Sequence, residues 1–244
     1  MPRSFTFIAA KLEDNPALAD GDPMYRANLM ALPLYERKLL LDGNWKVRPE
    51  GGMRFKRSWF EVVKDYPKDG GRLVRYWDRA STEPSVRNSD PDWTAGCKLY
   101  RSKVGILYVL DMRHDRLRPL GVQALIANTA SQDSEDCQLW MEEDPAQAGQ
   151  VEKVALSIAL AAYAPRWVKP TGSKWARSAP ASAAAEVGNI KLLSGRWNDA
   201  FLDELEQFVD EENVDTPAGY HDDQVDALSG ACGQLLQTGT PRMT

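Results

Sequence analysis

LVRYWD at 73–78, WTAGCKLY at 93–100 and VGILYVLDM at 104–112 are three short runs rich in Val, Leu, Tyr and Trp. Pro84, Asn88, Asp90-Pro91 and Ser102 fall between them as turn residues. Three such runs in succession predict an antiparallel meander. Downstream the apolar spacing changes: helices are expected at 118–132, 147–163, from about 173, 197–209 and 222–236, with strands at 137–142, 166–169 and 189–193. A meander followed by alternating helices and strands implies an α/β fold, a mixed sheet flanked by helices.

Upstream of the first run the pattern differs. Asn15-Pro16 and Asp22-Pro23 mark turns, and 25–41 carries Leu29, Leu32, Leu34, Leu39, Leu40 and Leu41 before Asp42-Gly43. This predicts a helical N-terminal lead-in over 1–60, ahead of a larger domain over 61–244.

The composition of this 244-residue chain, 43% hydrophobic and 27% charged, is enough to build a sizeable core and argues against disorder. No apolar run reaches the roughly 18 to 20 residues a membrane span needs. The short apolar start is broken at once by Lys11, Glu13 and Asp14, unlike a signal peptide, so the expected location is the cytoplasm. Cys97, Cys137 and Cys232 are far apart, which argues against a disulfide framework or a zinc site and predicts core thiols. A net charge of −5 looks unfavourable for binding nucleic acid. Carboxylates that gather divalent cations add to that total, however, while the loaded site attracts phosphate.

Three acidic groups carry the chemistry. Asp78 ends an apolar strand, where ligand sites of mixed sheets often open. Glu142, Glu143 and Asp144 end another, and the two-residue period places Glu142 and Asp144 on one face with Glu143 on the other. Glu142 is the candidate to join Asp78. The third group is HDDQVDAL at 221–228: Asp222 and Asp226, or Asp223 and Asp226, share a helix face, while Val225, Leu228 and Cys232 would hold another face to the sheet. Neighbouring carboxylates repel one another unless cations neutralise them. Magnesium and manganese prefer carboxylate oxygen, and two such ions about 3.5 to 4 Å apart stabilise both the attacking and leaving oxygens of a phosphodiester. The three groups together therefore point to a two-metal nuclease.

With those residues in view, the chain resembles the nuclease domain of phage terminase large subunits, which has a ribonuclease H-like fold. RYWDRA (75–80), DPDWTAG (90–96), LDMRHDR (110–116), WMEEDPAQAG (140–149) and HDDQVDAL (221–228) look like that family's nuclease motifs in order. Residues 5–45 look like the segment by which such proteins leave their ATPase domain. The resemblance implies Asp78 as the first metal ligand, Glu142 as the second acid and Asp222 or Asp223 as the third, with Asp226 in support. It implies Mg2+ or Mn2+ as cofactor, as two ions, and cleavage of concatemeric double-stranded DNA during genome packaging. The implied partners are the terminase ATPase domain, the small subunit and the portal protein.

The sequence departs from the whole protein in one respect. It has no G-x-x-x-x-G-K-[ST] phosphate loop, so ATP hydrolysis by this chain is not expected, and a separated domain or split gene product is. Arg113, Arg116, Lys169, Lys174 and Arg177 are candidates to line a DNA path. Trp175 and Trp197 read as packing residues.

Several rivals remain. Aspartate-based phosphoryl transfer would want an acid at position 80, which is Ala80. A Ser-His-Asp hydrolase lacks its G-x-S-x-G turn. A docking module that keeps the fold without cutting would tolerate loss of the acids. Other ribonuclease H-like nucleases, of the resolvase or integrase type, would have no use for the lead-in.

Overall fold

The computed structural model describes residues 54–79, 93–143, 147–210, 216 and 220–236, with the side chains of 147, 148 and 150–152 set aside. The chain divides at Met53/Arg54, and the predicted helix over 25–41 lies outside the described residues.

The elements run β1 (Glu61–Val63), β2 (Arg72–Asp78), β3 (Thr94–Arg101), β4 (Leu107–Asp115), α1 (Pro119–Gln132), β5 (Cys137–Glu142), α2 (Gln147–Ala159), β6 (Arg166–Val168), α3 (Lys174–Glu186), β7 (Ile190–Leu193), α4 (Asn198–Gln207) and α5 (Asp223–Leu236). They form one seven-stranded sheet in the order β1-β7-β4-β3-β2-β5-β6. The predicted meander is present: β2 and β3, and β3 and β4, pair antiparallel. The remaining pairs are parallel, as their helical crossovers require. Among the described residues the result is a mixed sheet flanked by five helices, the arrangement expected of a ribonuclease H-like fold.

Each face of the sheet has its own core. Val74, Tyr76, Cys97, Leu99 and Val109 pack with Ala181 of α3, Phe201 and Leu205 of α4, and Val225, Leu228 and Cys232 of α5. Trp77, Leu139 and Met141 point the other way, onto Val122 and Ile126 of α1 and Leu156 and Leu160 of the α2 region. Alternation along β2 explains the split, since Tyr76 and Trp77 are neighbours on opposite faces. Burying each such side chain stabilises by about 1.5 to 3 kcal/mol.

Two close approaches position these layers. On β3, Gly96 lies opposite Trp77, where an added Cβ would meet the indole at 2.6 Å. On α5, a Cβ at Gly230 would collide with the Tyr76 ring. Only glycine lets the helix backbone come down on that ring.

The structure also departs from the expected elements. The helix expected over 147–163 ends at Ala159, and a 3-10 turn at Ala161–Tyr163 follows. The exposed edge strand β1 had no distinct sequence pattern. Phe55 and Phe60, counted with the lead-in, are buried, and Phe55 lies 6.3 Å from the Phe208 ring. Cys97 and Cys232 are buried thiols and Cys137 is half-buried. Among the described residues no helix is long and apolar enough to cross a membrane.

Candidate active site

β2 and β5 run parallel, with Trp77 opposite Met141, so the last residues of the two strands, Asp78 and Glu142, sit side by side at the strand ends. Both follow the face of Tyr76 and Trp140, which is the α5 face. The Tyr76 hydroxyl donates to Glu142 Oε2 at 3.3 Å. Glu143 turns to the other face, where Lys153 of α2 meets it at 2.8 Å. Asp144 lies outside the described residues.

α5 brings the remaining acids. Gly230, seated on Tyr76, lies seven residues after Asp223 and four after Asp226, so these three share the sheet-facing side of the helix. The helix start therefore overhangs the ends of β2 and β5. Asp222, Asp223 and Asp226 are only 5%, 6% and 4% exposed. The Asp222 carbonyl accepts from Asp226 N at 2.9 Å and so begins the helix.

Electrostatics places these acids together. Burial, then the charges of Asp226, Glu142 and Asp223, hold the Asp78 carboxyl well above the usual carboxylate range, and Lys174 only partly opposes them. Burial also raises Glu142, with Arg177 opposing and Asp226 adding to the rise. Asp78 thus feels Glu142, Asp223 and Asp226, and Glu142 feels Asp226.

Two of the candidate DNA contacts lie inside this cluster rather than on an open surface. Lys174 Nζ, on α3, is 2.6 Å from Asp222 Oδ1 and 3.2 Å from Asp226 Oδ2. A terminal nitrogen of Arg177 is 3.0 Å from Asp226 Oδ1 and 3.8 Å from Glu142 Oε1. Ser173 starts the helix that delivers them, accepting from Ala176 N at 3.2 Å. Burial alone would lower the Lys174 pKa, but the charges of Asp226 and Asp222 raise it.

Arg116 lies at the rim. A terminal nitrogen is 3.1 Å from His221 Nε2, and the guanidinium sits 4.3 Å over the Trp93 ring. The other ring nitrogen of His221, Nδ1, lies 3.7 Å from Asp223 Oδ2. Arg113 is tied to Asp111 at 3.0 Å, and Lys169 is exposed after β6.

Two participants escaped the sequence reading. Tyr76 looked like one more apolar strand residue. Glu204 of α4 accepts from Gln224 N at 2.6 Å, Val225 N at 3.2 Å and Gln224 Nε2 at 2.5 Å, and thereby caps α5 from a neighbouring helix. It interrupts the apolar stripe of Phe201, Leu205 and Phe208, and that interruption was its sequence trace.

The donors are all carboxylate oxygens, which suits hard divalent cations such as magnesium and manganese. Among the described residues, no three His, Cys, Asp or Glu side chains converge as a ready-made metal cage. Asp222 and Asp226 instead meet the cations of Lys174 and Arg177.

The family of terminase RNaseH-like domains matches over residues 75–233. No curated protein matches the chain. Among solved structures, the large terminase of a thermophilic bacteriophage in complex with ADP is similar at 14% identity and TM-score 0.55, covering 93% of this chain and 55% of that one. The large terminase nuclease of thermophilic phage G20c with bound magnesium is similar at 13% identity and TM-score 0.52, covering 76% and 98%. The manganese-soaked, inhibitor-bound terminase nuclease domain of human cytomegalovirus is similar at 14% identity and TM-score 0.50, covering 75% and 92%. These likenesses show a shared fold, and the chain spans about half the length of the ADP-bound large terminase.

Proposed function

The chain belongs to the family of terminase RNaseH-like domains, and from that membership we propose that it is the DNA-cutting domain of a viral packaging machine. In this reading it is a metal-dependent endonuclease that hydrolyses phosphodiesters of concatemeric double-stranded DNA. One observation carries it: Asp78 and Glu142 leave adjacent parallel strands on the face where α5 delivers Asp223 and Asp226.

Asp78, Glu142 and Asp223 would hold the metal, with Asp226 and Asp222 completing the donor set. Mg2+ or Mn2+, as a pair, would supply Lewis-acid activation of water and stabilisation of the leaving oxygen. The magnesium in the G20c structure and the manganese in the cytomegalovirus structure support that choice. Tyr76 orients Glu142 through its hydroxyl, and Glu204 holds the start of the acid-bearing helix. Lys174, Arg177 and Arg116 would bring positive charge to the phosphate, with Lys169 and Arg113 further along the duplex.

Residues 1–60 would lead from an ATPase domain, and the greater length and bound ADP of the bacteriophage large terminase support such a neighbour. The small terminase subunit and the portal are the remaining proposed partners.

The test is cleavage of supercoiled plasmid with Mn2+, Mg2+ or a chelator, comparing the native chain with Asp78→Asn and Asp223→Asn, each verified as folded. Metal-dependent cutting should vanish in both variants. A native chain that never cuts, or variants that cut equally well, would overturn the assignment in favour of a docking module.

A further inference from the structure

Lys174 is the first residue of α3, and its ammonium bridges Asp222 and Asp226. Arg177 takes the other oxygen of Asp226, so both oxygens of that carboxylate are engaged by cations. A divalent ion that shared such an oxygen with the ammonium would sit close to a second positive charge, and the two would repel at such range. The two cations differ in freedom. The Lys174 side chain is 42% exposed on a flexible four-carbon stem, while Arg177 is 22% exposed. Lys174 can therefore swing out by side-chain rotation alone.

We propose that Lys174 is an internal stand-in for the site's metal: it holds Asp222 and Asp226 in the metal-free protein and is displaced as a divalent ion loads. This displacement rests on the metal-centre reading above and on the contacts of Lys174 with Asp222 and Asp226. It also gives one residue two successive roles. Before loading, Lys174 neutralises a repulsive cluster that would otherwise strain the start of α5. After loading, its freed charge stands at the edge of the site, where the DNA phosphate arrives.

The experiment reads Lys174 directly. The whole chain is acylated with an amine-reactive ester, with and without saturating Mg2+, and labelling at each lysine is quantified by mass spectrometry. An ammonium held between two carboxylates reacts slowly. Labelling of Lys174 should rise severalfold with the metal, while the exposed Lys64 and Lys68 stay constant. In parallel, Lys174→Met, checked for folding, should bind Mn2+ in titration calorimetry roughly tenfold more tightly than the native chain, since a competing cation has been removed. Metal binding with Lys174 still protected, or a folded variant with no gain in affinity, overturns the stand-in role and leaves the metal centre intact. A native chain that takes up neither Mn2+ nor Mg2+ overturns both.

Discussion

Truncating Glu204 to alanine tests how the acid-bearing helix is held. The first N–H groups of a helix have no partner within it. In α5 those of Gln224 and Val225, residues only 2% and 0% exposed, both donate to Glu204 Oε1, and the Gln224 amide donates to Oε2. Glu204→Ala leaves three donors buried, at about 1 to 3 kcal/mol each. Part of this is returned, because the carboxyl is itself costly to bury. Burial, against the Gln224 bonds and with the Asp223 charge, lifts its pKa from 4.5 to about 8. The net expected loss is about 3 kcal/mol, measured by urea unfolding with the slope compared between variants. Glu204→Gln keeps an acceptor and sheds the charge, so it should stay within about 1 kcal/mol of the native chain. A folded pKa above the unfolded one means the native state binds the proton more tightly. Glu204 therefore costs stability as pH rises from 4.5 toward 8, and the glutamine variant should lose that slope. An alanine variant as stable as the native chain, with an unchanged slope, would refute the cap.

Gly230→Ala drives a methyl into the Tyr76 ring and should cost about 1 to 3 kcal/mol in thermal unfolding. Plasmid cleavage should fall as well, because that ring carries the hydroxyl bonded to Glu142. Asp133→Ala strips buried Arg75 of contacts at 2.9 and 3.0 Å and should cost about 3 kcal/mol, with Asp111 and the Gly96 carbonyl left to hold the guanidinium. Burial would raise the Asp133 pKa, but Arg75 and Lys98 hold it below the ordinary value. The native stability it contributes is thus present above that range and lost on acidification, so the variant's acid limb should be shallower. For His114, burial and then the charges of His221 and Arg116 lower the pKa from 6.5 to about 4. The unfolded chain binds the extra proton, so stability should fall as pH drops from 6.5 to 4, and His114→Gln should flatten that part of the profile.

The alternation in LVRYWD and CQLWME, and the helical spacing of 222–236, made the meander, the parallel strand that follows and the last helix legible from local pattern alone. An acid that directly follows an apolar strand is equally local, so Asp78 and Glu142 could be named, and the period of two separated Glu142 from Glu143. The start of α5 could not be resolved in the same way. Asp222 and Asp223 look alike in sequence, and only the seating of Gly230 on Tyr76 turns Asp223 and Asp226 toward the strand ends while Asp222 meets Lys174. From sequence Lys174 and Arg177 could be named only as candidates to line a DNA path, because a basic residue after a turn gives no sign of an acidic partner. Their partners lie 48 and 49 residues away along the chain, across a crossover that leaves no local trace. Glu204 did break an apolar stripe, but the donors that justify an acid there belong to another helix. Local periodicity reports which side of an element is buried. Which charges meet across elements is set by the crossovers and by close backbone approach, and those exist only once the chain has folded.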